Sequence, residues 1–270
     1  MPLSFLKRRR RRRLREMPFP DAWRRILERR VPIWRRLPDD DRRELEGHVQ
    51  VFLAEKHFEG AAGLAVTDEM RVTIAAQACI LLLHRNTDYF PQLYSIVIYP
   101  AGFVVPLEAE EGGIVSEGMD DRLGESWSSG VIVLSWDDVR HGVAEIGAGE
   151  NLVLHEFAHQ LDDEAGDADG VPILGLGADG RRWATVLGEE FERLREADAR
   201  GEPTLLDPYG AETPAEFFAV VTEFFFERST ELEQRHPALY GELRRYYRQD
   251  PARWGPPRRD GGEILDDILA

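Results

Sequence analysis

The chain reads as an α+β domain. Strand-like runs are grouped in its middle, helical periodicities lie on both sides of them, and 43% of its 270 residues are apolar, enough for a full core. No internal repeat interrupts the pattern. Each element has a local reason.

Pro20-Asp21 opens a short helix carrying Trp23, Ile26 and Leu27. Asp39-Asp40-Asp41 places negative charge where a second helix begins, as the macrodipole favours. Leu45, Val49, Phe52 and Leu53 then recur at i, i+4, i+7 and i+8, and Gly60 is expected to end that helix. Thr67-Asp68-Glu69 starts a third helix running to about His84. Its centre, Ile74 to Leu83, is apolar on all sides except Gln77, which predicts a buried helix. Leu93–Tyr99 is rich in β-branched and aromatic residues and ends at Pro100, so it reads as a strand. Phe103–Val105 is a shorter strand-like piece, and Val131–Leu134 is another strand. Helices follow at about 150–161, 181–199, 213–227 and 237–249. The Asp- and Gly-rich segment 162–180 reads as a long loop, of a length often tied to function. It resembles a Ca²⁺ loop only superficially. Aligned on Asp167, Asp169 and Gly170, it carries Ala165 and Leu176 where the EF-hand pattern requires acidic ligands.

Charge divides the chain. The formal net charge is −16, yet residues 1–38 hold 14 basic and 3 acidic residues, against 20 basic and 47 acidic beyond them. Arg8–Arg13 is an unbroken arginine block. Three readings are open: a solvated flexible tail of mutually repelling charges, an anchor for an anionic lipid or nucleic-acid surface, or a segment lying on the chain's own acidic body. No DNA-reading motif follows, so direct DNA recognition is not expected. The longest apolar run has 10 residues, against about 20 for a membrane span. Lys7–Arg13 is followed by Leu14-Arg15-Glu16-Met17-Pro18 and not by the apolar stretch of a secretory signal. Together with a single cysteine, Cys79, these features point to a reducing compartment, the cytoplasm.

The chemistry lies in Asn151–Asp162. His155, Glu156 and His159 form H-E-x-x-H. Residues four apart share one helix face, so both imidazoles can reach one Zn²⁺ with Glu156 beside it. The flanking residues Leu152, Val153, Leu154, Phe157, Ala158 and Leu161 are apolar, so these polar side chains would sit in the wall of a core helix. A metal is an economical partner for them.

A catalytic site needs a third protein ligand. Asp162 and Ala165 stand where H-E-x-x-H-x-x-G-x-x-H would place glycine and a third histidine, so that pattern fails. His141 and His236 are alternatives, though both sit in polar surroundings. Glu216 and Glu223, two helical turns apart in an otherwise apolar run, are better, because carboxylates so placed need a metal, a proton or a partner. Thr213-Pro214-Ala215-Glu216 is also a capping box. From pattern alone, capping and metal ligation are about equal readings of Glu216, and Glu212 is a further candidate.

These residues bear a family resemblance. The chain resembles the Mlc titration factor A family of bacterial zinc peptidases. The likeness runs through Pro18-Phe19-Pro20, Phe58-Glu59-Gly60, Ile74–Leu83, Ile98-Tyr99-Pro100, Ser126-Trp127, His155–Asp162, Asp169–Pro172, Tyr209 and Pro214–Val220. That family is similar to the catalytic domain of anthrax lethal factor, a gluzincin whose third ligand is a glutamate in an Ala-Glu-Phe-Phe-Ala-like segment, with a tyrosine seven residues before it. Ala215–Ala219 and Tyr209 match that arrangement. The resemblance implies a zincin-like fold and one Zn²⁺ held by His155, His159 and Glu216. It implies Glu156 as general base, Tyr209 as donor to the oxyanion, and Asp162 and Glu223 orienting the imidazoles. It implies aminopeptidase-type hydrolysis of peptide substrates, with Val131–Leu134 offering an edge to the peptide. It also implies an alternative role, sequestering a transcriptional repressor that controls sugar uptake. The expected layout is a flexible basic segment 1–19, one catalytic domain 20–258 and an acidic tail 259–270.

Overall fold

The computed structural model describes residues 2–101, 124–127, 130–144, 149–164, 170–174 and 180–255. The Phe103–Val105 piece, the tail 259–270 and two parts of the 162–180 loop lie outside these residues.

The basic head forms a helix, α1 (Pro2–Arg15), followed by α2 (Asp21–Arg30), α3 (Pro32–Arg36), α4 (Asp39–Glu55) and strand β1 (His57–Gly60). Next come α5 (Asp68–Ile80), β2 (Ser95–Tyr99), β3 (Gly124–Trp127), β4 (Val131–Ser135) and α6 (Trp136–Ala144). Helices α7 (Leu152–Asp163), α8 (Gly180–Ala199), α9 (Pro214–Glu227), α10 (Ser229–Arg235) and α11 (Pro237–Tyr247) complete the fold, with 3-10 turns at Pro208–Ala211 and Pro251–Arg253.

The sheet has the order β1-β2-β4-β3. β1, β2 and β4 run parallel, with His57 opposite Ser95 and Ser95 opposite Val131. β3 is antiparallel to β4, with Trp127 opposite Val131. Strands central and helices around them match the α+β expectation. Two details differ. β4 is paired on both sides, so among the described residues the outer strands are β1 and β3 and not Val131–Leu134. Gly60 does not end the second helix, which stops at Glu55. It ends β1, where a Cβ would strike the Leu64 carbonyl oxygen at 1.9 Å.

The core is continuous. Helix α5 is buried from Val72 to Ile80, with Thr67 Oγ1 capping it by accepting from Met70 N at 3.3 Å. Phe52 of α4, Phe90 and Phe157 of α7 meet edge-on or tilted at 4.9–6.2 Å, joining the first half of the chain to the H-E-x-x-H helix. On the other side of α7 lie Phe217, Phe218, Phe224, Phe225 and Phe226 of α9, all buried.

The segment expected to be flexible is helix α1, packed on α4. Like charges along one helix repel, so the ordering must come from docking. Lys7, Arg11 and Leu14, spaced i, i+4 and i+7, face the body. Arg11 is 8% exposed. Its guanidinium donates to Glu55 Oε1 and Oε2 at 2.9 and 2.7 Å, to Asp88 Oδ1, and to the Asp88 carbonyl at 2.9 Å. It also stacks 4.6 Å from the Tyr89 ring centroid. Burial opposes its charge, but the two carboxylates outweigh that and hold its pKa above the ordinary arginine value. Lys7 lies 3.2 Å from Asp88, and Arg15 covers Gly47 of α4. Of the three readings of the head, docking on the chain's own acidic residues describes this inner face.

Arg11→Ala leaves Glu55 and Asp88 without their partner. Urea denaturation is expected to show a loss of about 2–3 kcal/mol, near the low end for a broken buried ion pair because Asp88 is half exposed. A loss under about 0.5 kcal/mol, as for a surface pair, would mean α1 is held by other contacts.

Candidate metal centre

Helix α7 begins at Asn151, whose Oδ1 accepts from Leu154 N at 3.0 Å. Its apolar residues Val153, Leu154, Phe157, Ala158 and Leu161 face the core, which turns His155 and His159 onto the side facing α9. The two helices run antiparallel, because Asn151 lies against the C-terminal part of α9 and His159 near its first turn.

His155 Nε2 is 3.0 Å from Glu216 Oε2, His159 Nε2 is 3.3 Å from the same oxygen, and the two Nε2 atoms are 3.2 Å apart. Three ligands of one tetrahedral zinc at about 2.0–2.1 Å would stand roughly 3.3 Å from each other. The three atoms therefore already have the mutual spacing of a shared ion. Among the described residues, His155, His159 and Glu216 are the group able to hold one.

Glu216 reconciles the two readings of its position. Its backbone N–H donates to Thr213 Oγ1 at 3.1 Å, so Thr213 does cap α9. Its carboxylate turns instead to the imidazoles. Burial alone would raise its pKa, but hydrogen bonds from His155 and His159 bring it down to about 2. Burial likewise opposes charge on His155, yet Glu216 and Glu223 together raise its pKa to about 10. Glu212 is exposed and outside the cluster. Exposed His141 bonds the Asp137 carbonyl of its own helix, and His236 pairs with Glu190 at 2.8 Å, so neither joins the group.

Glu156 is 4% exposed, and its Oε2 has no hydrogen-bond partner in the protein. Burial raises its pKa, a tendency its neighbouring imidazoles oppose. Tyr209 is 47% exposed in the Pro208–Ala211 turn, its ring 5.9 Å from that of His155. Asp207 Oδ1 caps that turn by accepting from Tyr209 N at 2.8 Å.

Behind the cluster stands a carboxylate row. Glu223 Oε1 is 2.7 Å from His155 Nδ1, and its Oε2 accepts from Asn151 N. Glu227 accepts from Asn151 Nδ2 at 2.9 Å and from Gly149 N at 3.2 Å. Asp162 is 1% exposed. Its Oδ2 accepts from Gly170 N at 2.7 Å. Gly170 has φ +80 and lies against Pro214, where a Cβ would meet the carbonyl oxygen at 2.4 Å. Asp162 thus joins the end of α7 to the start of α9. The sequence reading missed Asn151 as a cap and Glu227 as its clasp. The available signal was the i, i+7, i+11 spacing of Glu216, Glu223 and Glu227 on one face of α9.

The profile of the glucose-regulated metallo-peptidase M90 family matches residues 5–248. The protein slr2042 of Synechocystis sp. is 41% identical over 244 residues, 90% of this chain and 89% of that protein. Mlc titration factor A of Pectobacterium atrosepticum is 34% identical over 225 residues, covering 82% of this chain and 84% of the relative. That of Yersinia pestis is 32% identical over 225 residues, 82% of each. With a profile match across nearly the whole chain and relatives this similar, the protein belongs to the glucose-regulated metallo-peptidase M90 family.

Proposed function

We propose that the chain is a zinc-dependent peptidase of zincin-like, gluzincin type. The observation that carries this reading is the convergence of His155 Nε2, His159 Nε2 and Glu216 Oε2 at 3.0–3.3 Å beside a buried glutamate. These three residues hold the ion. When bound, zinc supplies Lewis acidity, polarising the scissile carbonyl and lowering the pKa of water towards about 7. Glu156 takes a proton from the attacking water and passes it to the leaving amine. Its raised pKa suits a group that acts as base and then as acid near neutrality. Tyr209 donates from its hydroxyl to the oxyanion as charge develops there. Glu223, bonded to His155 Nδ1, keeps that ring turned with Nε2 towards the ion, and Asp162 holds the neighbouring loop. Aminopeptidase-type cleavage is the specificity that fits the family resemblance. The cytoplasm is the compartment that fits a single, buried cysteine. Among the described residues no helix is long and apolar enough to cross a membrane.

A second reading rests on the relatives' name, Mlc titration factor A. The chain would then also bind a transcriptional repressor of Mlc type, through a surface separate from the metal cluster.

Glu156→Gln is expected to keep one zinc per chain while hydrolysis of alanyl anilides falls by about 10²–10⁴. Equal activity of both proteins would sink the enzymatic reading, whereas repressor capture by the inactive variant would support the second one. Glu216→Gln is expected to abolish zinc retention on dialysis, and Glu212→Gln to leave it intact. Metal loss from both or neither would displace Glu216 from the ligand set.

Zinc affinity is expected to depend on pH. In the metal-free protein His155 keeps its proton up to about pH 10, above the ordinary histidine value, and a protonated imidazole cannot ligate. Binding must therefore release that proton, so affinity rises with pH, by about tenfold per unit between roughly pH 6 and 8. Chelator competition at several pH values measures this, and a flat profile would contradict the protonation state assigned to His155.

A further inference from the structure

The outer face of α1 is left unexplained by the metal centre. With Lys7, Arg11 and Leu14 turned to the body, Phe5, Arg8, Arg9 and Arg12 follow at i, i+3, i+4 and i+7 on the opposite side, with Leu6 and Arg13 flanking them. Arg8, Arg9 and Arg13 have no carboxylate partner among the described residues, and Arg12 has only a loose 3.9 Å pair with Glu16. Phe5 is 66% and Leu6 58% exposed, two large apolar side chains at the end of the arginine row. Positions 5–13 span about 12 Å of helix. This is a strongly basic surface on a chain with net charge −16. Because the inner face is pinned through Arg11 to Glu55 and Asp88, the outer arginines are held in one direction.

We propose that this face of α1 docks the protein on an anionic phospholipid surface. Arginine guanidinium groups pair with lipid phosphates through paired N–H donors. Phe5 and Leu6 enter the boundary between headgroups and acyl chains, as apolar residues of interfacial helices do. A nucleic acid fits less well. Single strands are bound by aromatic platforms interleaved with basic residues along a groove, whereas this face is convex and carries one aromatic ring. A long polyanion would also meet the acidic body, while a membrane touches only the face turned towards it. The proposal is independent of the peptidase reading.

Flotation of the full chain with vesicles tests it. Binding is expected to phosphatidylcholine vesicles containing phosphatidylserine, not to phosphatidylcholine alone, and should fall as salt rises. Replacing Arg8, Arg9, Arg12 and Arg13 together by Gln is expected to weaken binding by about a hundredfold or more. Zinc content and anilide hydrolysis should be unchanged. Should the fourfold variant unfold at lower temperature, Phe5→Ser with Leu6→Ser decides: vesicle binding must fall while the unfolding midpoint stays. Indifference to phosphatidylserine, undiminished binding by these variants, or tighter binding to a single-stranded oligonucleotide than to the vesicles would overturn the proposal.

Discussion

Three glutamates lie along one face of α9, a helix whose other side chains are largely phenylalanine, valine and alanine. Glu223 and Glu227 are almost fully buried and Glu216 is partly so. Buried carboxylates are costly unless charge and hydrogen bonds compensate them. Helix α7 provides that compensation: two imidazoles for Glu216, one imidazole and a backbone N–H for Glu223, and the Asn151 side chain for Glu227. The antiparallel register of α7 against α9 follows from this matching. A slide of one helical turn would carry Asn151 away from both Glu223 and Glu227. The geometry that gathers His155, His159 and Glu216 is thus also the geometry that makes α9 tolerable in the core.

The remaining elements support that pair. Phenylalanines from α4, α7 and α9 pack on its two sides, so α7 is clamped between the first and last thirds of the chain. The sheet lies alongside, with β4 internal and β3 at the rim. Asp162 and Gly170 close the pair at one end and Asn151 with Glu227 at the other. Catalytic groups are effective when held by such second contacts and not by their own rotamers alone. Membership of a metallo-peptidase family agrees with a cluster built in this way.

The head shows a different use of charge. Arginines normally extend a chain by repulsion, and a run of six would be expected to do so. Here one arginine in the run is neutralised by two carboxylates and an aromatic face, and the others are carried along on its helix. Periodicity explains the result: a helix gives every charge a side, so a single docked position orients all of them. The i, i+4, i+7 spacing of Lys7, Arg11 and Leu14 was visible in the sequence, but Glu55 and Asp88, 44 and 77 residues away from Arg11, were not visible as its partners.

Much of the rest was legible. The buried third helix, which stops at Ile80 and not near His84, the helices near 150–161, 181–199, 213–227 and 237–249, and the strands ending at Tyr99 and Ser135 were readable from periodicity, caps and β-branched runs. Such signals act within one or two turns of chain. Short elements escaped for the same reason: β1 and β3 have four residues each, too few to show alternation, and exist because neighbouring strands supply their hydrogen bonds. The H-E-x-x-H spacing alone placed two imidazoles on one side of one helix. Only the tertiary structure decided between Glu212 and Glu216 as their neighbour, turned the Glu216 side chain from its helix cap to the histidines, and brought Glu223 and Glu227 to the start of α7. Those choices join residues about 60 to 80 positions apart, and a contact of that range is specified by how whole helices pack, which no local pattern encodes.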